Sequence, residues 1–512
     1  MYQFSGKIKL FSIILVVVGI LGIGWGFATA PSTIEEAKEI MAKKAAHGDH
    51  GHNDHGDAAH HDDHAKKDAH HDDHASAEHK DDASHDSIHK NENEHHADDH
   101  KKEGDHAVAH GEHHGADQGD HHAEHVFHQL QNRPWASFYV ALIFFLGITL
   151  LVLAFYAAQR VAQSGWSIVL FRVMEAITAN LVPTSIIMLI MIILTGMHYN
   201  HLFVWMGEGV MDKTSPNFDP IVYGKKLWLN TPGWMIRSII YLLGWNVYRW
   251  WIRRNSILED QGSIKVFKRN YNVSVIFLVF FMLTESMASW DWIMGLDPHW
   301  FSTLFGWYVL ASLLVSALTV IAFVTIYLRS KGYLPKVNDS HIHDLAKFMF
   351  GFSVFWTYLW FAQFMLIWYA NIPEETYWYD TRFVDNGWRT LSIVLLAGHL
   401  FIPFFLLMGR TLRRNKTVLS VSAVFILVTH WVDHYWLVMP QMDRAALELS
   451  GRRGDELSPV FTFTGTGIII DIACVVGMIG LFLAVFFLIV RDRPLVPLKD
   501  PRLGEALNHE VH

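Results

Sequence analysis

The sequence predicts an all-α integral membrane protein with about ten transmembrane helices. Of its 512 residues, 51% are hydrophobic and 14% are aromatic. Apolar runs near the ~20 residues that a helix needs to cross the hydrocarbon core recur along the chain. The single cysteine, Cys474, cannot by itself form a disulfide, an iron–sulfur cluster or a Cys-x-x-Cys-His haem attachment. We therefore expect no covalently bound cofactor.

One very polar insert interrupts this apolar chain. Residues 47–128 contain 24 of the 34 histidines, 22 Asp plus Glu and 6 Lys. With neutral histidines this insert carries −16, so the remainder carries +7 of the total charge of −9. The chain therefore combines two unlike parts, a membrane-embedded one and an acidic, histidine-rich one.

Ten apolar segments bounded by breakers or charges predict the ten spans. They cover residues 10–27, 135–158, 173–197, 228–251, 273–289, 304–328, 345–369, 391–408, 418–438 and 465–490. The first segment follows Lys7 and Lys9 and precedes Ala28-Thr29-Ala30, which also resembles a signal peptide with its cleavage site. Its length of 18 residues favours an uncleaved anchor.

The orientation follows from the positive-inside rule. Four basic loops fall on one side of the predicted bundle, and the loops between them are acidic or mixed. The predicted location is the bacterial inner membrane, with both termini in the cytoplasm and the His-rich loop in the periplasm. The basic residues are Arg253, Arg254, Lys265, Lys268, Arg269, Arg329, Lys331, Lys336, Arg410, Arg413, Arg414, Lys416, Arg491 and Arg493.

The His-rich loop lacks the apolar residues needed to offset the entropy of ordering, so disorder is expected. Ala-His-His-Asp-Asp-His-Ala occurs twice in it, at 59–65 and 69–75. Closely spaced imidazoles with carboxylates can bind Zn(II), Cu(II) or Ni(II) weakly. Weak metal buffering and a solvated spacer both remain open. The candidate ligands are His60, His61, His64, His70, His71 and His74.

Ionisable residues within the spans are candidate functional groups, because a charge in the bilayer is costly unless it has a partner or water. Arg172 and Glu175 form an i, i+3 pair that could be purely structural. Glu285 has no basic neighbour one turn away, so it is either protonated or paired with another helix. The full set is Arg172, Glu175, Arg237, Glu285, Asp291, His399, His430, Asp433, His434 and Asp471.

The densest group, His430, Asp433 and His434, has i, i+3 and i+4 spacing, which predicts one shared helical face. His399 and Asp471 are expected at a comparable depth. Such a group suits a proton path or the deprotonation of a quinol. Two stacked haems would need ligands farther apart than the ~6 Å that four helical residues span. A metal-ion transporter fed by the His-rich loop is the alternative from another class.

Two long motifs carry a family resemblance. The sequences SWDWIMGLDPHWFSTLFG at 289–306 and FAQFMLIWYANIPEE at 361–375 resemble those of the ActF subunits of bacterial alternative complex III. ActF is similar to the NrfD and polysulfide-reductase family of membrane anchors. The likeness extends over about residues 135–494, and the His-rich insert departs from it.

The resemblance implies two four-helix bundles, spans two to five and six to nine, with spans one and ten at the periphery. The expected organisation is an anchor at 1–30, the exported loop at 31–134, bundles at 135–303 and 304–440, and a last helix with a cytoplasmic tail at 441–512.

The resemblance also implies a subunit that is not catalytic alone, in a complex that oxidises menaquinol or ubiquinol. Multihaem cytochromes c and an iron–sulfur subunit would carry haem c and the clusters, and electrons would pass to a terminal oxidase. A paralogous ActC-type subunit is the better candidate for the quinol site, while this chain contributes a proton path and possible quinone contacts. Membrane lipid is an expected partner and nucleic acid is not. By membrane depth and chemistry, the proton role is assigned to Glu175, Glu285, His399, His430, Asp433 and Asp471.

Overall fold

A computed structural model describes residues 6–40, 114–383, 386–449, 466–491, 494–497 and 499–511. The compact unit described below comprises Met1–Lys38 and Asp120–His512. The six histidines predicted as weak metal ligands, His60, His61, His64, His70, His71 and His74, lie outside the described residues.

Ten long helices follow one another along the described chain, close to the ten predicted spans. Nine of them, all except α4, are long and apolar enough to cross a membrane, which confirms an all-α, multi-pass membrane protein. They are α1 Gly6–Thr29, α2 His114–Val161, α3 Trp166–Gly196, α4 Thr231–Glu259, α5 Ile264–Trp292, α6 Phe305–Ser330, α7 Asp339–Ala370, α8 Asn386–Met408, α9 Lys416–Leu449 and α10 Thr466–Val490.

Helix α4 matches the fourth predicted span in position but not in composition. Its 29 residues cover about 43 Å at 1.5 Å per residue, which is ample for a span. Its sequence includes Arg237, Arg249, Arg253 and Arg254, and it is not apolar enough to meet the criterion that the other nine satisfy. It packs along α3 and α5, so neighbouring helices supply partners for part of this polar surface.

The helices form two groups of four around a shared core. Helices α6, α7, α8 and α9 contact one another in a closed ring, and α4 lies between α3 and α5. The most apolar stretches of α2 and α6 are the most deeply buried, at 94% and 83%. These two helices meet where Gly147 faces the side chain of Leu313. We call α2 to α5 the first helix group and α6 to α9 the second; the division into domains at 135–303 and 304–440 stays a prediction.

Helix α1 lies at the periphery and packs against α10. Only 17% of its most apolar stretch is buried. The buried residues, Ser12, Gly19 and Gly26, recur every seven positions. A Cβ atom added at Gly477 of α10 would lie 2.7 Å from the Cα of Gly19. The two backbones therefore approach as closely as small residues allow.

The chain alternates between two ends of the bundle. One is the tryptophan-rich end, where Trp228, Trp290, Trp300 and Trp378 lie; the other is the basic end, where Arg253, Arg329 and Arg414 lie. At the basic end the tail residues 499–511 run beneath both helix groups. His509 pairs with Asp344 at 2.6 Å, and Asn338 Nδ2 donates to the His509 carbonyl at 2.7 Å.

A proline in α9 is compensated from outside the helix. Pro440 has no N–H, so the carbonyl of Trp436 loses its intrahelical donor. Arg382, at the end of the short helix Pro373–Phe383, donates to the carbonyls of Trp436 and Leu437, both at 3.2 Å. Its guanidinium lies 3.6 Å from the ring centroid of Trp378. This arginine therefore joins the short helix to the tryptophan-rich end of α9.

Candidate functional site

A buried ion pair closes the first helix group at its tryptophan-rich end. Arg237 of α4 donates to both carboxylate oxygens of Asp291 on α5, at 2.7 and 2.9 Å. Tyr241 donates to the same carboxylate at 2.9 Å, and Trp234 Nε1 donates to the Asp291 carbonyl at 2.9 Å. Because the carboxylate is fully buried and both of its oxygens accept hydrogen bonds from α4, Arg237 and Asp291 form a structural clamp between α4 and α5.

A second network lies at the basic end of the same group. Glu175 accepts hydrogen bonds from Tyr156 at 2.8 Å, from Arg172 at 3.0 Å and from Arg253 and Ser256. The predicted i, i+3 pair of Arg172 and Glu175 is therefore present. A carboxylate held by two arginines is strongly favoured in its charged form, which suits a fixed charge better than a proton carrier.

The third group lies in the ring of α6 to α9, about 21 Å along α9 from Lys416. Ser312 of α6 donates to Asp433 Oδ2 at 2.6 Å and hydrogen-bonds with His430 Nδ1 at 2.9 Å. Tyr308 also donates to Asp433, as does Trp356 Nε1 at 3.2 Å. All of these side chains are at most 1% exposed. We call His430, Asp433, Ser312 and Tyr308 the α9 polar cluster.

His399 of α8 extends this cluster. Its ring stacks on Trp356 at 4.0 Å between centroids and meets the His430 ring edge-on at 4.3 Å. Its Nδ1 donates to the Leu395 carbonyl at 3.1 Å. Its Nε2 is buried without a hydrogen-bond partner among the described residues. His399 thus leaves one ring nitrogen, Nε2, unengaged by the described residues, and in the neutral imidazole that nitrogen accepts a proton.

His430, Asp433 and His434 lie within about 100° of one another around α9, but they contact different helices. His430 and Asp433 both reach Ser312, but His434 packs against Phe144 of α2, with 5.4 Å between ring centroids. One extra residue turns a helical side chain by 100°, and here that is enough to direct His434 towards the other helix group. Its Nδ1 donates to the His430 carbonyl at 2.9 Å.

Glu285 has no counter-charge among the described residues. It is 3% exposed, and neither carboxyl oxygen has a hydrogen-bond partner in the part of the chain that the structure describes. A Cβ atom added at Gly306 would lie 3.2 Å from the side chain of Ser286, which places Glu285 level with the start of α6. An unpaired buried carboxyl is strongly favoured in its protonated form.

Asp471 lies apart from the α9 polar cluster. It forms a two-bond ion pair with Arg133 of α2, at 2.7 and 2.8 Å. Arg133 also donates to Tyr435 of α9 at 3.1 Å. Sequence reasoning missed Arg133 because it precedes the predicted second span by two residues. A helix extended by one turn would have brought it to the edge of the membrane-embedded region.

A loop contact outside the spans ties the distinctive motif to the tryptophan-rich end. His299 hydrogen-bonds to Asp219, which also caps the short helix Pro220–Gly224. Partial burial raises the pKa of Asp219, but hydrogen bonds from the Val222 backbone and from His299 outweigh it and hold the pKa below its usual value. Tyr377 donates to Asp297 at 2.9 Å. Both pairs join segments that are far apart in sequence.

The two helix groups contain the same tryptophan-to-serine hydrogen bond and a matching sequence pattern, which a comparison of the two halves of the sequence could have revealed. Trp292 Nε1 donates to Ser238 at 2.9 Å in the first group, and Trp436 Nε1 donates to Ser392 at 2.7 Å in the second. In this repeat, His399 occupies the position of Trp245. Comparing the halves would thus have separated His399 from the common scaffold. The matched pairs in α4 and α8 are Gly233 and Gly387, Trp234 and Trp388, Ser238 and Ser392, and Gly244 and Gly398.

The described residues therefore present four separate polar groups rather than one continuous file. Two are clamped ion pairs or networks, at Asp291 and Glu175, and a third pairs Asp471 with Arg133. The α9 polar cluster alone joins an acid, a hydroxyl and an imidazole without a full counter-charge. In the described part of the chain no group of three or more His, Cys, Asp or Glu side chains is placed to hold a metal ion.

The fold and these groups define a multi-pass helical membrane protein with a buried acid–base cluster. No protein-family model matches the chain, and no curated protein is significantly similar to it.

Proposed function

We propose that this chain is an integral membrane subunit of a bacterial respiratory complex that passes electrons from quinol to cytochrome c or a terminal oxidase. In this proposal it contributes a proton-conducting helical core, and cytochrome c and iron–sulfur subunits hold the redox centres. The resemblance of the 289–306 and 361–375 motifs to the ActF and NrfD-like membrane subunits supports the assignment to a respiratory complex. The inner membrane, with the His-rich loop in the periplasm, is part of the same proposal.

The observation that carries the proton role is the bridge made by Ser312. A hydroxyl has one proton and accepts another hydrogen bond through its lone pairs. When the His430 Nδ1–H bond breaks, the Ser312 oxygen gains that proton, and its own proton moves to Asp433 Oδ2. The net result is transfer of one proton from the imidazolium to the carboxylate without movement of any heavy atom. His399, whose ring lies beside His430, can take up a proton on Nε2 and supply the one that re-forms the His430 imidazolium.

The test compares three variants of the native complex. Asp433→Asn and Ser312→Ala each interrupt the relay, whereas Ser422→Ala removes a buried hydroxyl on the same helix that bonds only to the Val418 carbonyl among the described residues. We expect quinol-driven proton release to fall about 10²-fold in the relay variants, the lower range for loss of a proton-transfer group. Ser422→Ala should retain the wild-type rate.

Equal proton release in all three assembled variants would refute the relay. Assembly is checked by purification in a mild detergent, where copurifying haem c gives a visible spectrum. A colourless chain purified alone would instead favour the metal-ion transporter, and uptake of Zn(II) into vesicles would become the next assay.

A further inference from the structure

Arg249 is an arginine without a partner at the basic end of α4. No hydrogen bond or ion pair joins its guanidinium to another described residue, and its Nε is buried without an acceptor. Arg253, one turn further along the helix, points a second positive charge to the same side. Like charges at this spacing repel each other; Arg253 is hydrogen-bonded to Glu175, and the same carboxylate also attracts Arg249 without bonding to it.

The neighbouring carboxylates are already engaged by other arginines. The network at this end contains three described carboxylates and three described arginines in ion pairs, which leaves Arg249 as an excess positive charge. Those pairs are Arg160 with Glu259 at 3.0 Å, Arg172 with Glu175 at 3.0 Å, Arg172 with Asp260, and Arg253 with Glu175. Glu175 is thus shared by Arg172, Arg253 and Arg249, and an anion from another molecule would balance the charge that remains.

The surface beside Arg249 faces the hydrocarbon region. Helices α3 and α4 run antiparallel and are fixed in register by a hydrogen bond from Asn246 to Ser185 at 2.8 Å. This register places Val182 of α3 level with Arg249. From there towards the membrane centre, exposed apolar side chains line both helices. They are Val182, Ile186 and Ile190 on α3, and Leu243, Val247 and Trp250 on α4.

We propose that this surface binds one anionic glycerophospholipid, with its phosphate on Arg249 and an acyl chain along the exposed apolar side chains of α3 and α4. Arg254, which lies 5.6 Å from the ring centroid of exposed Trp250, supplies a second cation at the headgroup level. Basic pockets between membrane helices are a recognised form of anionic-lipid site. The inference does not depend on the proposed respiratory role.

The test measures lipid retention by native mass spectrometry of the full chain in detergent. Phosphatidylglycerol is compared with phosphatidylcholine for the wild type, Arg249→Gln and Lys331→Gln. Lys331 is an exposed cation at the basic end of the second helix group, so its substitution is a matched change of charge. We expect Arg249→Gln to weaken phosphatidylglycerol binding about fivefold, with little effect from Lys331→Gln.

Two further variants separate a loss of lipid binding from a failure to fold. Arg249→Lys should keep most of the affinity, and Arg254→Gln, which changes an exposed side chain, should weaken binding even if Arg249→Gln fails to fold. Equal retention of the two lipids, equal effects of Arg249→Gln and Lys331→Gln, or full displacement of the lipid by inorganic phosphate would each overturn the proposal.

Discussion

The interface between α1 and α10 offers the sharpest test of the described packing. In Gly477→Ala the new Cβ would lie 2.7 Å from the Cα of Gly19, whereas carbon atoms in good contact are about 3.5–4.0 Å apart. The helices must therefore separate by about 1 Å. Overpacking of this kind costs about 1–3 kcal/mol, and the better helix propensity of alanine offsets less than ~1 kcal/mol of it.

The chain provides a matched control on α1 itself. A Cβ at Gly24 would meet no atom within 4 Å, so Gly24→Ala should be neutral or slightly stabilising. The readout is maleimide labelling of Ser12→Cys, a position that is fully buried in the interface, in a Cys474→Ala background. A net cost of 1–2 kcal/mol raises the labelled, separated population about 5–30-fold.

This reasoning fails if Gly477→Ala and Gly24→Ala label at the same rate. It also fails if the mature protein lacks residues 1–30. Without α1 there would be no interface with α10 to perturb. The uncleaved anchor is still a prediction.

Three other predictions concern single contacts. Arg237→Gln leaves the Asp291 carboxylate, whose side chain is 0% exposed, without its cation; we expect a loss of about 3–5 kcal/mol, seen as a lower melting temperature in detergent and largely restored in Arg237→Gln with Asp291→Asn. Arg382→Gln removes donors from two buried carbonyls and should cost about 1–3 kcal/mol for each one left unpaired; thermal unfolding beside Lys331→Gln would measure this, and equal melting temperatures would contradict it. Because the folded pKa of Asp219 lies below its usual value, its contribution is complete above the unfolded pKa near 4 and is lost as pH falls through the folded value. Hydrogen exchange of the Ile221 and Val222 amides should accelerate relative to control amides in that acidic range, and Asp219→Asn should abolish this dependence.

The fold was largely readable because its signals are local. A long run of apolar residues by itself predicts a membrane span, so the predicted spans lie close to the ten helices. Helix ends were missed where polar residues continue the helix, as at Arg133 before the predicted second span. Helix α4 was harder to predict as a span because it contains Arg237. The charge of Arg237 is balanced by Asp291, which is 54 residues away in sequence.

The candidate site was predicted in its residue types but not in its grouping. His430 and Asp433 were identified by spacing alone, yet Ser312 and Tyr308, which complete their cluster, carry no charge and look like ordinary span residues. Helical spacing also could not separate Asp433 from His434, because the two neighbours face different helices. Which carboxylates are clamped by arginines depends on contacts between distant segments, and one sequence gives little information about those.

The ion pair between Arg133 and Asp471 has a consequence for biosynthesis. Its members are separated by 338 residues, and at about 5–20 residues per second the ribosome needs roughly 20–70 s to travel from one to the other. During that time α2 presents a cation at the membrane whose carboxylate partner does not yet exist. The Arg133 side chain of α2 therefore gains its ion-pair partner only when α10 has been synthesised and inserted. The packing of α2 at this point depends on the last span of the chain.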